Sequence, residues 1–284
     1  MKLKLEELVA AEELRHFDGS ELGKAAKALS ERLGEHVLAI IGYGSRVYGT
    51  HKPDSMMDFL VVVDEHSEFY RDNQWLVETP LVPIVRSAWA QTFINLSGPN
   101  FYHVGKDIKV GVMSKRQFQQ APDTPGRYIS YRLTKPLAIY VLPGSQLPPG
   151  ELTGVIAAAR LDTLQRTLRI MPKQFTLEGF ALGYVGTSYK ADIRPEDPTK
   201  IQTTYEANKG QLDRMCATFL KEQPQLHGHY VNKTLWHEHV AERLNLTVVS
   251  KPAFLFRTFL GIFTAADPFG YALRKVNLGV NSGK

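Results

Sequence analysis

A glycine-serine turn and a nearby aspartate have the residue types and the spacing to act on phosphate groups. The turn, Gly42–Ser45, reads Gly-Tyr-Gly-Ser and directly follows the apolar run His36–Ile41. Asp58 comes thirteen residues after the serine and directly precedes the apolar run Phe59–Val63. Backbone N–H groups of a turn between strand and helix bind phosphate oxygens, and a carboxylate on the adjacent strand holds Mg²⁺. The spacing predicts a site for a triphosphate and its metal ion, as nucleotidyl transfer requires.

The carboxylates around Asp58 are sparse for this chemistry. Nucleotidyltransferases of the polymerase-beta type usually carry Asp-x-Asp on one strand face, but Leu60 and Met56 occupy the positions two residues away. Asp64 shares the strand face but lies six residues on, about 20 Å along a regular strand, too far to bind the same ion. Asp54 could reach the site from the preceding loop. A simple connecting turn without a ligand is the alternative interpretation.

A lysine lies in the third apolar run, Ile108–Met113. An inward-facing Lys109 would add positive charge beside bound phosphates, and Asp107 shares its strand face. The alternative is a lysine at the strand edge that extends its ammonium group to solvent.

Two polar segments mix phosphate-binding side chains with carboxylates. Arg132–Pro136, Arg-Leu-Thr-Lys-Pro, precedes a predicted strand, and Ser188–Lys200 leads into a predicted helix. By composition alone, both segments are equally compatible with solvated surface loops.

Strands are predicted early in the chain and helices late. Four apolar runs indicate strands: His36–Ile41, Phe59–Val63, Ile108–Met113 and Leu137–Leu142. Asp18–Glu21 resembles a capping box that begins a helix ending near Gly34, and helical spacing recurs over Val155–Met171, after Thr176 and over Thr199–Glu222. The proline- and glycine-rich stretch Pro143–Gly150 indicates a domain boundary. We expect an α/β domain followed by a mainly helical one.

Composition excludes several classes of protein. The chain has 284 residues, 43% hydrophobic and 22% charged, which fits two globular domains at roughly 150 residues each. A single cysteine, Cys216, excludes a disulfide framework or a cysteine zinc site. Four glutamates within the first seventeen residues are unlike a transit or signal peptide, and we expect no membrane-spanning segment.

The last forty residues are basic in a chain whose formal net charge is +5. From Leu246 to Lys284, five basic side chains stand against one acidic side chain, and Ala253–Phe263 is apolar and aromatic. Such a segment fits an anionic partner, either a lipid surface or a nucleic acid. An ordinary solvated surface, or a helix buried against the α/β domain, would give the same pattern.

Six blocks occur in an order that resembles a known family. In chain order they read YGS, MMDFLVVVD, IKVGVMS, YRLTKP, SYKADIRPEDPTK and GIFTA. From about Ile41 to Lys275 the chain resembles the mitochondrial translocator assembly and maintenance family of phosphatidate cytidylyltransferases, in its bacterial form. The resemblance implies a polymerase-beta-type nucleotidyltransferase domain, a winged-helix-like helical domain and a C-terminal membrane-contacting segment. We expect these at 1–148, 149–250 and 251–284.

The resemblance also implies a reaction and roles for the matching residues. CTP and phosphatidic acid would give CDP-diacylglycerol and pyrophosphate, with Mg²⁺ as the cofactor. Asp58 would bind the metal ion and act with Lys109 in catalysis. The nucleotide-binding residues would be Gly44, Ser45, Arg132, Lys135, Tyr189, Asp192 and Lys200.

The expected partners are CTP, phosphatidic acid and an anionic membrane surface, without nucleic acid. We expect a cytoplasmic protein, peripheral on the inner face of the cell membrane, in phosphatidylglycerol and cardiolipin synthesis. One alternative keeps the nucleotidyl transfer but uses a soluble phosphate or alcohol acceptor, or another nucleotide. A second alternative is a non-catalytic protein that binds nucleic acid or membrane.

Overall fold

The computed structural model describes residues 1–15, 17–53, 55–76, 100–123, 128–190 and 198–246. The described chain divides into two compact units. The sheet unit comprises residues 13–120 and 137–151, and the helical unit comprises residues 1–12, 121–136 and 152–246. The Asp54 carboxylate and the tail 251–284, both singled out above, lie outside the described residues.

The sheet unit is built on one mixed six-stranded sheet. Its strands are β1 (Leu14–Arg15), β2 (Val37–Tyr43), β3 (Met57–Val63), β4 (Asn100–Val104), β5 (Ile108–Ser114) and β6 (Ala138–Val141). Their order is β1-β6-β2-β3-β5-β4, in which the β1–β6 and β3–β5 pairs are parallel and the others antiparallel. Its helices are α2 (Glu21–Leu33), α3 (Ser45–Tyr48), α4 (His66–Asp72) and α5 (Lys115–Gln119), with a 3₁₀ turn at Gln74–Leu76.

The central strands are apolar because both of their faces are covered. All seven residues of β2 and six of the seven in β3 are buried. Helix α2 packs Ala26, Leu29 and Leu33 into the core beside Ile40 and Phe59. The predicted helix is present, but Ser20 caps it rather than the predicted box from Asp18 to Glu21. The hydroxyl of Ser20 accepts a hydrogen bond from the Gly23 N–H at 3.0 Å.

The helical unit combines helices with a small antiparallel sheet. The helices are α1 (Lys2–Glu13), α6 (Tyr128–Leu133), α7 (Pro149–Ile170), α8 (Leu177–Lys190), α9 (Pro198–Ala207), α10 (Lys209–Leu220) and α11 (Trp236–Leu244). Helix α1 extends one residue beyond the unit at its end, and α7 begins three residues before the unit resumes. The strands are β7 (Gln174–Phe175), β8 (Gln225–Leu226) and β9 (His229–Val231), in the order β7-β9-β8. Within the described ranges, none of the helices is both long and apolar enough to cross a bilayer.

The units interleave along the chain, whereas continuous ranges were predicted. Helix α1 belongs to the helical unit because its Leu5 is buried in the core that also contains Phe180 and Leu212. The predicted linker likewise includes the start of α7 at Pro149. Proline suits this first helical position, where its missing N–H would have no acceptor within the helix.

Two elements differ from the prediction. The single helix expected over Thr199–Glu222 is two helices, α9 and α10, separated at Asn208. The Asn208 amide donates to the Thr204 carbonyl at 2.9 Å and so replaces a backbone bond at the end of α9. Strand β4 was not predicted. Among the described strands it lies at the edge of the sheet with one partner, and its adjacent aromatic residues lack a clear alternation.

Candidate functional site

Four side chains from neighbouring strands form a row across one end of the sheet. Tyr43 of β2 pairs with Asp58 of β3, Asp58 pairs with Lys109 of β5, and Lys109 pairs with His103 of β4. Residues that pair directly across strands project to the same face of a sheet. The register therefore brings two of the predicted catalytic residues, Asp58 and Lys109, side by side.

Asp58 and Lys109 form a partly open ion pair. The Lys109 Nζ lies 3.9 Å from Asp58 Oδ1, and the side chains keep 28% exposure for the aspartate and 22% for the lysine. Both charges can therefore still contact a ligand. A carboxylate and an ammonium group at this spacing suit a bound metal–phosphate complex, in which each faces the opposite charge.

The predicted phosphate-binding turn lies against the same carboxylate. Gly44 precedes α3 with φ of +89°, a conformation that favours glycine, and a Cβ there would lie 3.0 Å from Asp58 Oδ2. The first hydrogen bond inside α3 runs from the Val47 N–H to the Gly44 carbonyl at 3.0 Å. The N–H groups of Ser45 and Arg46 precede it, so they have no acceptor within the helix.

The carboxylate of Asp58 fits a magnesium ion that arrives with a triphosphate. Among the residues that the structure describes, no three His, Cys, Asp or Glu side chains group as metal ligands. Mg²⁺ is commonly held by one or two carboxylates, with substrate phosphates and waters as the remaining ligands. The donor set therefore suits a metal shared with a substrate better than one held by protein alone.

An aromatic ring supports Lys109, and sequence reasoning missed it. The Nζ of Lys109 lies 4.6 Å from the ring centroid of Phe101 on β4, a cation–π distance. Phe101 pairs with Gly111, and a Cβ on that glycine would lie 2.6 Å from the Phe101 Cε1. The glycine therefore makes room for the ring that contacts the lysine. The unpredicted strand β4 concealed this contact.

Arg46, directly after the Gly42–Ser45 turn, holds the loop before β3. Its Nε donates to the Ser55 carbonyl at 3.0 Å, and its Nη2 lies 3.4 Å from the Pro53 carbonyl. Its Nη1 pairs with the Glu21 carboxylate at 3.1 Å. The side chain thus links the turn at Ser45 to the chain that leads into Asp58.

The remaining predicted residues that the structure describes belong to the helical unit. We call Arg132–Pro136 the basic loop; it begins with the last two residues of α6. The Nζ of Lys135 lies 3.4 Å from the ring centroid of Tyr189, and the Nζ of Lys200 lies 5.4 Å from it. The Tyr189 hydroxyl is 3.2 Å from the Thr204 hydroxyl. Two lysines on one ring make a local concentration of positive charge that suits an anion.

Other residues of the same blocks add less. Arg132 is half-buried at the end of α6. The predicted nucleotide-binding residue Asp192 lies outside the described residues, together with Arg194, Glu196 and Asp197.

Comparison with known proteins decides the fold of the sheet unit. A family model described as "Nucleotidyltransferase domain" matches residues 22–95, a range that contains Gly44, Ser45 and Asp58. The predicted α/β nucleotidyltransferase fold is confirmed. The nucleotidyltransferase domain thus contains the turn and the aspartate found by their spacing.

Three curated relatives carry the name "Phosphatidate cytidylyltransferase, mitochondrial". The Caenorhabditis elegans protein is 28% identical over 197 residues, and the Caenorhabditis briggsae protein is 27% identical over 198 residues. Each alignment covers 62% of this chain and 57% of the relative. The Drosophila melanogaster protein is 30% identical over 135 residues, covering 42% of this chain and 39% of that protein. The chain thus spans little more than half the length of the two Caenorhabditis relatives it matches.

Proposed function

We propose that the chain is a CTP:phosphatidate cytidylyltransferase, a CDP-diacylglycerol synthase. The observation that carries this proposal is the pairing of Asp58 with Lys109 beside the Gly44 turn, in a sheet unit whose residues 22–95 match the nucleotidyltransferase family model. The printed names of the three relatives support phosphatidate as the acceptor.

In the proposed reaction, a phosphate oxygen of phosphatidic acid attacks the α-phosphorus of CTP. A new P–O bond forms there, and the bond to the β-phosphate breaks to release pyrophosphate. A phosphate monoester is already anionic near neutral pH, so the acceptor needs little help from a general base. The protein's main tasks are then to align the two phosphates and to stabilise their negative charge.

The sheet unit supplies the groups for this stabilisation. The N–H groups at the start of α3 would bind CTP phosphate oxygens next to the Ser45 hydroxyl. Asp58 would hold Mg²⁺, which supplies charge neutralisation on the phosphates when it is bound. The ammonium group of Lys109 would face the same phosphates, and the ring of Phe101 would hold that group in place.

Residues of the helical unit are proposed for the nucleotide because they match the family's blocks. Lys135 and Lys200, both over the ring of Tyr189, would bind phosphate oxygens. Arg132 and Asp192 are proposed for the nucleotide only because they match the family's blocks.

The substrate also bears on where the protein acts. Phosphatidic acid resides in a bilayer, so we propose a peripheral enzyme of phosphatidylglycerol and cardiolipin synthesis on an anionic membrane surface. The basic, aromatic segment 251–284 is the proposed contact. We place a bacterial-type enzyme of this kind on the inner face of the cell membrane.

Pyrophosphate release tests the proposed reaction. The assay uses each of the four nucleoside triphosphates with Mg²⁺, with and without phosphatidic acid in vesicles. We expect release only with CTP and phosphatidic acid together. The Asp58→Asn variant should lose this activity. Asp64→Asn is the matched control, because it removes a carboxylate that lies six residues after Asp58, just beyond the end of β3.

Each other outcome points to one of the alternatives. Pyrophosphate release with a soluble phosphate or alcohol would support nucleotidyl transfer but contradict phosphatidate as the acceptor. Release with another nucleotide would contradict CTP as the donor. No release from the wild-type protein, while a relative is active in the same assay, would favour a non-catalytic binding protein. Equal losses in both variants would remove Asp58 from its proposed role.

A further inference from the structure

Three successive backbone carbonyls of the basic loop accept hydrogen bonds from two side chains. Arg160 Nε donates to the Leu133 carbonyl at 3.1 Å, and Arg160 Nη2 donates to the Lys135 carbonyl at 2.9 Å. The Thr134 carbonyl between them accepts from the Tyr184 hydroxyl at 2.7 Å. The backbone that leads to Lys135 is therefore fixed at every residue.

Both donors are buried in the helical unit. Arg160 on α7 is 4% exposed, and Tyr184 on α8 is 1% exposed. Hydrogen bonds in such surroundings are electrostatically stronger than in water, and a buried carbonyl without a donor is costly. The two side chains therefore hold the basic loop in one conformation.

The same helix fixes both ends of Lys135. Tyr184 holds the loop backbone, and Tyr189, five residues further along α8, carries the ring that lies 3.4 Å from the lysine Nζ. Pro136 follows the lysine and restricts its backbone to extended conformations. Residues of α8 thus contact both the backbone beside Lys135 and its ammonium group.

We propose that Arg160 and Tyr184 are positioning residues for nucleotide binding, which act by holding Lys135 where it meets a phosphate of CTP. This inference rests on the proposed function, in which Lys135 binds the nucleotide. Neither side chain needs to contact the nucleotide, because each acts on the loop backbone. Sequence spacing gives no sign of this role, since both residues lie within ordinary helical patterns.

A double-mutant cycle tests the inference. CTP affinity is measured by calorimetry with Mg²⁺ for the wild type, Tyr184→Phe, Lys135→Ala and the double variant. We expect Tyr184→Phe to weaken binding about five- to tenfold, and to raise the KM for CTP while kcat stays within about twofold. In the Lys135→Ala background, Tyr184→Phe should not weaken CTP binding further, because the ammonium group that it positions is absent.

Two further variants separate positioning from general stability. Tyr102→Phe is the matched control, because it removes a buried hydroxyl that donates to Tyr70 at 3.0 Å in the sheet unit. It should leave CTP affinity unchanged. Arg160→Met should weaken binding more than Arg160→Lys, which keeps one donor. If Tyr184→Phe does not fold, the CTP affinities of these two arginine variants are measured with and without Lys135→Ala instead.

Unchanged affinity in a folded Tyr184→Phe protein would overturn the inference. An equal loss with and without Lys135 would also overturn it, because the tyrosine would then act by another route. If Lys135→Ala itself binds CTP normally, the proposed role of Lys135 fails, and the inference fails with it. That result differs from a chain that binds no CTP at all, which would reject the proposed function.

Discussion

Gly44 and Asp58 are so close that a Cβ on the glycine would lie 3.0 Å from the carboxylate Oδ2. The absence of a side chain at Gly44 therefore leaves space for the carboxylate beside the turn that is proposed to bind phosphate. Its φ of +89° adds a second reason for glycine at this position. A larger residue here would press on the carboxylate that is proposed to bind the metal ion.

The Gly44→Ala variant should retain its fold and lose part of its activity. A methyl group would force the Asp58 carboxylate to move by a few tenths of an ångström. Because a misplacement of about 1 Å can lower a rate about 100-fold, we expect a smaller but measurable loss at this proposed catalytic group. Gly49→Ala is the matched control, because Gly49 has φ of +70° but no heavy atom within 4 Å of its Cβ position. Both variants share the backbone strain, so thermal melts should show similar destabilisation. Similar losses of pyrophosphate release in both would contradict this explanation.

The Gly111→Ala variant should lower the melting temperature, and a second substitution at Phe101 should distinguish this loss of stability from a loss of catalytic rate. The new methyl group of Gly111→Ala would lie 2.6 Å from the Phe101 Cε1 and 3.0 Å from the Leu60 Cδ2, and such overpacking costs about 1–3 kcal/mol. Adding Phe101→Leu should restore the melting temperature but leave the rate low, because the ring that supports Lys109 is lost. Gly19→Ala, with no atom within 4 Å of the new methyl group, should change neither quantity. Full activity of Phe101→Leu alone would show that Lys109 needs no such support.

Removal of the Arg46 guanidinium should loosen the loop before β3. In Arg46→Met the carbonyls of Pro53 and Ser55 lose their donor, so we expect faster cleavage of this loop by protease and a higher KM for CTP. Glu21→Gln isolates the contribution of the ion pair, and a glutamate with 71% side-chain exposure should contribute under about 1 kcal/mol. If Glu21→Gln reproduces the effect of Arg46→Met, the ion pair and not the carbonyl contacts is responsible.

Acid should destabilise the protein through His66. Burial lowers the pKa of this histidine to about 4, and its Nε2 has no hydrogen-bond partner among the described residues. Between about pH 6.5 and pH 4 the unfolded chain binds the proton and the folded chain does not. Stability should therefore fall as the pH falls through this window, by up to roughly 3 kcal/mol.

Urea unfolding at pH 7, 6 and 5 measures this effect. His66→Gln should reduce the dependence on pH, whereas His51→Gln, at an exposed histidine, should not. Identical pH dependence in the wild type and His66→Gln would assign the acid sensitivity to other groups.

The site residues that could be predicted from the sequence are those that lie close together in the chain, beside an apolar run. Gly44, Ser45 and Asp58 follow or precede apolar runs that could only be buried strands, so their element and position were predictable. The contact of Asp58 with Lys109 was not, because it depends on the parallel register of β3 and β5, strands far apart in the chain. Phe101 was missed because its edge strand lacks an alternating pattern.

The sequence of a helix also does not show which elements the helix packs against. The apolar spacing of α1 indicates that one side is buried but not which core receives it, and Leu5 proves to lie in the helical unit. The clamp of Arg160 and Tyr184 on the basic loop shows the same limitation. Its hydrogen bonds join residues 25 to 50 positions apart, and only the folded chain brings them together.

The interleaving of the two units has a consequence for inheritance. The chain leaves the helical unit after residue 12, returns for residues 121–136, and returns again at residue 152. The basic loop with Lys135 is therefore encoded between two parts of the sheet unit. No single crossover between related genes could exchange one unit intact.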